Sequence, residues 1–194
     1  MLAEAATAVS HSHRGELRHQ LRTATNDAHR HLDALFTQLD LRARASYLSF
    51  LEASASALLP LEARLTQRGA AALLDDWPDR TRSEALMRDI RMLGGTVAPL
   101  SVRDDLDAAE MTGIIYVLEG SRLGARMLIK TVSASSDPAL VSATAYLSHG
   151  VGQPLWQNFL SFLDRLTLTP KEIERAIVGA RYAFGLFAAG ASRR

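Results

Sequence analysis

The chain has 194 residues and near-balanced charge, with 22 Lys and Arg against 21 Asp and Glu and a formal net charge of +1. Hydrophobic residues at 47% and charged residues at 22% describe an ordinary globular composition with enough apolar material for one core. The near-neutral balance excludes an electrostatic case for nucleic acid, the absence of cysteine excludes disulfides and thiolate metal sites, and no apolar run is long enough to span a bilayer.

The first residues carry Glu4 and no basic n-region. Residues 1–14 are expected to form a mobile tail and not a signal peptide, residues 15–194 one helical domain, and a chain without cysteine suits the cytoplasm. Sustained apolar/polar alternation and hairpin dipeptides are missing, so the expected fold class is all-α, a single-domain multi-helix bundle. Leu17, Leu21, Ala24, Ala28, Leu32 and Leu35 trace one apolar face from about residue 16 to 37. A second helix, about 42 to 67, carries Tyr47, Phe50, Leu51, Leu58, Leu61 and Leu65, with Ser54 on the same side. Pro60 inside it predicts a kink or break near Leu59. Residues 69–79 read as a loop, 80–93 as a helix stopped by Gly94-Gly95, and Ser101 as the start of a long helix running to about Val132. Shorter helices follow at 137–148 and 153–166. Thr169-Pro170-Lys171-Glu172 opens the last helix with proline in its first position.

The long helix contains Gly120 and Gly124, four residues apart and so on one face. Each glycine costs about 1 kcal/mol relative to alanine in a helix interior. Two explanations stand side by side: a large flat ligand approaching the backbone, or close helix–helix packing. Tyr116 lies one turn earlier on the same face, as a rim donor or a core tyrosine. Six histidines, His11, His13, His19, His29, His31 and His149, are the candidate metal ligands. His29 and His31 flank the apolar stripe of the first helix, and periodicity does not separate them. His29 has Arg22 two turns earlier and Asp33 one turn later, the former suited to an anion and the latter to orienting an imidazole. Met87, Met92, Met111 and Met127 read as core filler, and Trp156, Phe159 and Phe162 as core. Glu-x-x-His pairs, a nucleophile elbow, a P-loop and a dinucleotide fingerprint are all absent.

The two halves meet in a known pattern. Residues 21–29, Leu-Arg-Thr-Ala-Thr-Asn-Asp-Ala-His, followed by Leu32-Asp33, resemble the proximal helix of heme oxygenases. Residues 116–124, Tyr-Val-Leu-Glu-Gly-Ser-Arg-Leu-Gly, resemble their distal helix in its bacterial form. Weaker similarity runs through 47–65 and 147–160, and the closest branch is the one that supplies biliverdin to bacteriophytochromes. The resemblance implies a heme held between a proximal N-terminal helix and a glycine-containing distal helix. It makes His29 the axial ligand of heme iron, breaking the tie with His31. It implies that Arg22, Thr25, Asp33, Tyr116 and Phe184 bind or orient the cofactor, and that Gly120, Ser121 and Gly124 form the distal wall. Tyr182, Phe184 and Phe187 are expected to close the far side of the pocket.

The implied reaction opens heme, which is both cofactor and substrate, to biliverdin, iron and carbon monoxide. It uses dioxygen and electrons from an external reductase or ferredoxin, with a bacteriophytochrome as biliverdin acceptor and neither nucleic acid nor membrane as partner. Ser121 stands where mammalian-type enzymes carry aspartate, and Ala125 where many relatives carry a paired glycine. A heme carrier that does not degrade its ligand is the alternative on the same fold.

Overall fold

The computed structural model describes residues 15–193; the expected tail and its histidines, His11 and His13, lie outside them. Four long helices dominate: α1 (Glu16–Thr37), α2 (Arg44–Gln67), α5 (Ala108–Ser133) and α9 (Pro170–Ser192). Between them run the short α3 (Trp77–Arg80), α4 (Ser83–Leu93), α6 (Pro138–Ser142), α7 (Ala145–Ser148) and α8 (Leu155–Arg165). No strand occurs among the described residues, as the absence of alternation predicts.

The strongest local signals mark true ends. Gly94 caps α4 with φ 79°, in the left-handed region that glycine enters without steric cost. Thr169 and Glu172 exchange the hydrogen bonds of a capping box at the start of α9, with Pro170 behind the cap.

Three boundaries differ from expectation. α5 begins at Ala108 and not at Ser101, because the capping box that nucleates it is Asp107 with Glu110. Asp104 is drawn into an ion pair with Arg64 of α2, which holds the preceding segment as a loop. The 69–79 stretch contains a 3-10 turn, Ala70–Ala72, and the start of α3, organised around the buried Trp77, whose indole N–H donates to Thr66 Oγ1 at 2.9 Å. α2 runs unbroken through Pro60. Proline leaves the carbonyl of Ser56 without its intrahelical donor. The backbone N–H of Leu100 fills that place at 2.8 Å, so a tertiary hydrogen bond removes the reason to break.

α9 is the common neighbour of α5, α1 and α2. Its contact with α5 is backbone against backbone. A Cβ on Gly113 would lie 1.8 Å from the carbonyl oxygen of Ala176, and one on Gly179 would lie 2.1 Å from that of Glu110. A Cβ on Gly190 would lie 2.4 Å from Ser56 Oγ, so α9 approaches α2 in the same way. At Gly124 a Cβ would meet nothing within 4 Å, and at Gly120 only the Trp156 ring at 3.9 Å. The packing explanation is therefore true of Gly113, Gly179 and Gly190 and false of the pair that raised it.

Substitution separates the two kinds. Gly113→Ala should cost at least the roughly 1–3 kcal/mol of an overpacked core and lower Tm, read by far-ultraviolet circular dichroism. Gly124→Ala should keep or raise Tm, gaining up to about 1 kcal/mol of helix propensity.

Candidate functional site

The proximal candidates stand on α1, where Arg18, Arg22, Thr25 and His29 recur at helical spacing and share one face. The His29 side chain is 61% exposed, and its Nδ1 lies 2.9 Å from Asp33 Oδ2 one turn later. With Nδ1–H donated to the carboxylate, Nε2 carries the lone pair and is the nitrogen left for a metal. The Phe184 ring of α9 meets the imidazole edge-on at 5.7 Å between centroids. His29, Asp33 and Phe184 thus come together. His19 and His31 are exposed on the same helix, and Asp33 pairs with neither.

Thr25 departs from its expected role. It is buried, and its hydroxyl donates to the Leu21 carbonyl at 2.7 Å, so its proton is spent inside the helix. Tyr182 and Phe187 do not join Phe184 at the imidazole. The Tyr182 hydroxyl accepts from the Arg103 N–H at 3.0 Å on another side of α9, and Phe187 lies in the core.

Tyr116 of α5 is half-buried beside the arginines of α1. Burial pushes its phenol above the ordinary value, while the charges of Arg18 and then Arg22 pull against that. The Arg18 guanidinium lies 5.8 Å over the Trp156 ring, and that ring is 6.1 Å from Tyr116. Trp156 also covers Gly120. It is half-buried at this junction of α1, α5 and α8, which corrects its reading as core, whereas Phe159 and Phe162 are core as expected. Arg18 was legible one turn before Arg22; Trp156 had no signal, since its place depends on how α8 docks.

From Gly120 onward α5 presents an open apolar strip of Gly120, Leu123, Gly124 and Met127, with Leu123 41% and Met127 66% exposed. Met127 and Met92, 44% exposed, are not core filler; Met111 is. Ser121 is not a free hydroxyl: it donates to the Leu118 carbonyl at 2.7 Å and accepts from Arg82 Nη2 at 3.0 Å.

A charged cluster backs this strip. Arg80, 2% exposed, forks onto Asp76 and reaches Glu119 Oε2 at 2.7 Å. Arg122 donates to the other Glu119 oxygen at 3.0 Å, to the Arg80 carbonyl at 2.5 Å and to His149 Nδ1 at 3.1 Å. Arg82 reaches the Leu118 carbonyl as well as Ser121, while Glu62 of α2 accepts from the Arg82 and Ser83 N–H groups and so caps α4 from outside. Breaking one partner of such a buried pair costs about 3–5 kcal/mol, because the other charge is left unpaired. Sequence reading missed the cluster because its members come from α3, α4, α5 and the loop after α7.

Two surface cavities lie apart from His29 and the glycine strip. One of about 650 Å³ runs along α4 past Arg88 and Arg91, and one of about 440 Å³ opens beside His149. No group of three or more His, Asp or Glu able to cage a metal ion occurs among the described residues. A metal held by His29 must therefore bring its other ligands with it.

Fold and site define a class: an all-helical bundle presenting one braced imidazole, a pair of cations with a tyrosine, and a strip of bare helix backbone. The heme oxygenase family model matches residues 15–191, and the chain belongs to that family. It is 31% identical over 187 residues to the heme oxygenase PigA of Pseudomonas aeruginosa, covering 93% of this chain and 94% of that protein. It is 30% identical over 112 residues to a heme oxygenase of Xanthomonas campestris pv. campestris, covering 57% of this chain and 67% of the relative. Among solved structures, the NO- and CO-bound heme oxygenase from Neisseria meningitidis superposes with a TM-score of 0.76 at 21% identity, over 91% of this chain and 90% of that one. The heme oxygenase from Leptospira interrogans superposes at 0.69 and 17% identity, over 92% and 99%. Those two likenesses show the fold.

Arginine only donates, so His149 Nδ1 accepts and the ring is neutral. Burial, Arg122 and Arg82 lower its pKa below the ordinary 6.5, against weaker pulls from Glu119 and Asp79. The unfolded chain then takes up a proton that the folded one refuses, so stability present above pH 6.5 is lost as pH falls below it. Tm should drop between about pH 7 and about pH 5, and less in His149→Gln, whose amide oxygen still accepts from Arg122.

Proposed function

We propose that the chain cleaves heme with dioxygen and external electrons to biliverdin, carbon monoxide and iron, using His29 as the iron ligand. The observation that carries this is the pairing of an exposed imidazole, fixed through Nδ1 by Asp33, with glycines on α5 that face open space and not a neighbouring helix. When bound, heme supplies the redox-active iron and the ring that is consumed. The protein's share is placement. His29 offers Nε2, and Asp33 holds the ring plane. Phe184 packs against the imidazole edge and limits its swing. Gly120 and Gly124 admit a flat ligand against the backbone and leave no side chain to compete with dioxygen. Arg22 and Tyr116 hold a propionate, the arginine through a charge-assisted contact.

Ser121 takes a different part from the one its position suggests. With its hydroxyl engaged by Arg82 and the Leu118 carbonyl, it ties the glycine segment to the charged cluster behind it. The methyl of Ala125 is buried, so it faces the core and does not narrow the strip that carries Gly120 and Gly124. Electrons are assigned to an external reductase or ferredoxin, and the reaction to the cytoplasm. No helix among the described residues is long and apolar enough to cross a membrane. A bacteriophytochrome is the proposed biliverdin acceptor.

The test is a hemin titration followed by reduction. Wild-type protein should give a Soret band, and ascorbate or a reductase should replace it with biliverdin absorbance. A Soret band that persists under reduction identifies a heme carrier instead. His29→Ala should lose the axial signature and turnover, and an unchanged complex contradicts the ligand assignment. Gly120→Leu should displace heme or shut out dioxygen, cutting turnover at least tenfold, about 1.4 kcal/mol; full turnover in that variant contradicts the distal placement.

A further inference from the structure

The chain has no cysteine and five methionines, so thioethers are the only sulfur it offers to an oxidant. The four methionines among the described residues divide by exposure. Met111 is buried and Met87 is half-buried against the core, while Met92 is 44% and Met127 66% exposed. Exposure of a single apolar side chain is ordinary, and what sets Met127 apart is its position. It follows Gly124 by three residues and Gly120 by seven, so it stands on the face of α5 from which the glycines withhold side chains. Gly120 to Met127 spans about 10 Å along the helix axis, comparable to the width of a tetrapyrrole.

We propose that Met127 is an oxidation site of the distal face: its sulfur takes an oxygen atom from hydrogen peroxide released there, and the sulfoxide loosens the seat of the ring. The inference rests on the heme reading above and adds a residue that neither motif contains. Hydrogen peroxide forms when dioxygen takes up two electrons and two protons and leaves before the ring is opened. A lone pair of the Met127 sulfur attacks one peroxide oxygen and the O–O bond breaks. That oxygen bonds to sulfur, which is oxidised by two electrons, and the other leaves as water with both of the peroxide's hydrogens. The strip directs the oxidant to this side chain. A Cβ at Gly124 would meet nothing within 4 Å, so the way from the bare backbone to Met127 is open. Leu123, the other large side chain of the strip, is inert to peroxide. The thioether is apolar and adapts to a flat surface, whereas the sulfoxide is polar and chiral. Covering it with an apolar ring leaves an acceptor without a donor. The device is a brake: when electrons arrive faster than the ring is opened, the enzyme lowers its own affinity for heme, and reduction of the sulfoxide restores it.

The experiment turns over hemin-loaded protein with ascorbate in the presence of catalase, and mass spectrometry of its peptides reads one added oxygen at each methionine. Met92 reports on oxidant in bulk solution, since it is exposed on α4, which packs on α2 and α7. Met127 should be oxidised several-fold more than Met92 under turnover, while peroxide added to the heme-free protein should oxidise both. Equal oxidation of the two under turnover, or an unoxidised Met127, overturns the proposal. A second measurement needs no turnover. Heme-free wild-type protein treated with peroxide should bind hemin about tenfold more weakly than untreated protein, the scale of one apolar side chain's contact. Methionine sulfoxide reductase should restore that affinity, and the affinity of Met127→Leu should not change on the same treatment. An equal loss in Met127→Leu assigns the effect to another residue and overturns the proposal; so does no loss in the wild type. Absence of a Soret band in untreated wild-type protein overturns the heme reading itself, a different result from any of these.

Discussion

The structure depends on the contact between α5 and α9 at Gly113 and Gly179, where each glycine is closed over by the other helix's backbone. Interlocking at this level fixes distance, register and crossing with little freedom, because any Cβ at either place would collide with a carbonyl. Everything functional is hung from that joint. α1 packs on the same α9, so His29 reaches Phe184, and α5 carries Tyr116 to the arginines of α1. α1 and α5 are therefore positioned through a third helix, and the space between them is set by α9, not by their own mutual attraction. A cleft for a rigid planar ligand needs such an arrangement, since two helices that packed directly on each other would fill it.

A strip of bare backbone is a weak element, and α5 is weakest where Gly120 and Gly124 remove side chains from it. The charged cluster answers that weakness on the opposite side. Glu119 and Arg122 lie on either side of Gly120 in sequence and point away from the open strip, toward Arg80 and His149. Arg82 adds a hydrogen bond to the Leu118 carbonyl, which Ser121 also approaches. Burying this many charges brings no assured net stability, because desolvation offsets the Coulomb gain. What it does bring is a single geometry: any slip of α5 would leave an arginine or a glutamate unpaired in the core.

Much of this was legible in the sequence, and the failures share one cause. Local signals held: the α1 stripe, the Gly94 stop, and Thr169-Pro170 at the head of α9 are decided within a few residues of chain. The histidine and its carboxylate were also local, one turn apart on one helix. Pro60 does not break its helix, since the rule for proline in a helix assumes that its freed carbonyl stays unsatisfied, and Leu100 satisfies it from 44 residues beyond Ser56. Ser101 resembles a cap because it is a serine ahead of acidic residues, while the true cap is Asp107, six residues later. Trp156 and the arginine cluster were invisible because each member is ordinary in its own helix and gains meaning from distant partners.

The glycines show where sequence reasoning reaches its limit and why. Gly113, Gly120 and Gly124 occupy the same helix, and spacing alone treats them alike. Their environments are opposites: the first is sealed by backbone, the second is brushed by one indole edge, the third faces nothing at all within van der Waals reach. A helix stabilised only for folding would replace the third with alanine and lose nothing in packing. The helix keeps glycine there at a propensity cost that packing does not explain, and the neighbouring charges of Arg18 and Arg22 are a second cost of the same kind. Unpaired cations one turn apart and bare backbone beside them are each unfavourable to the chain alone.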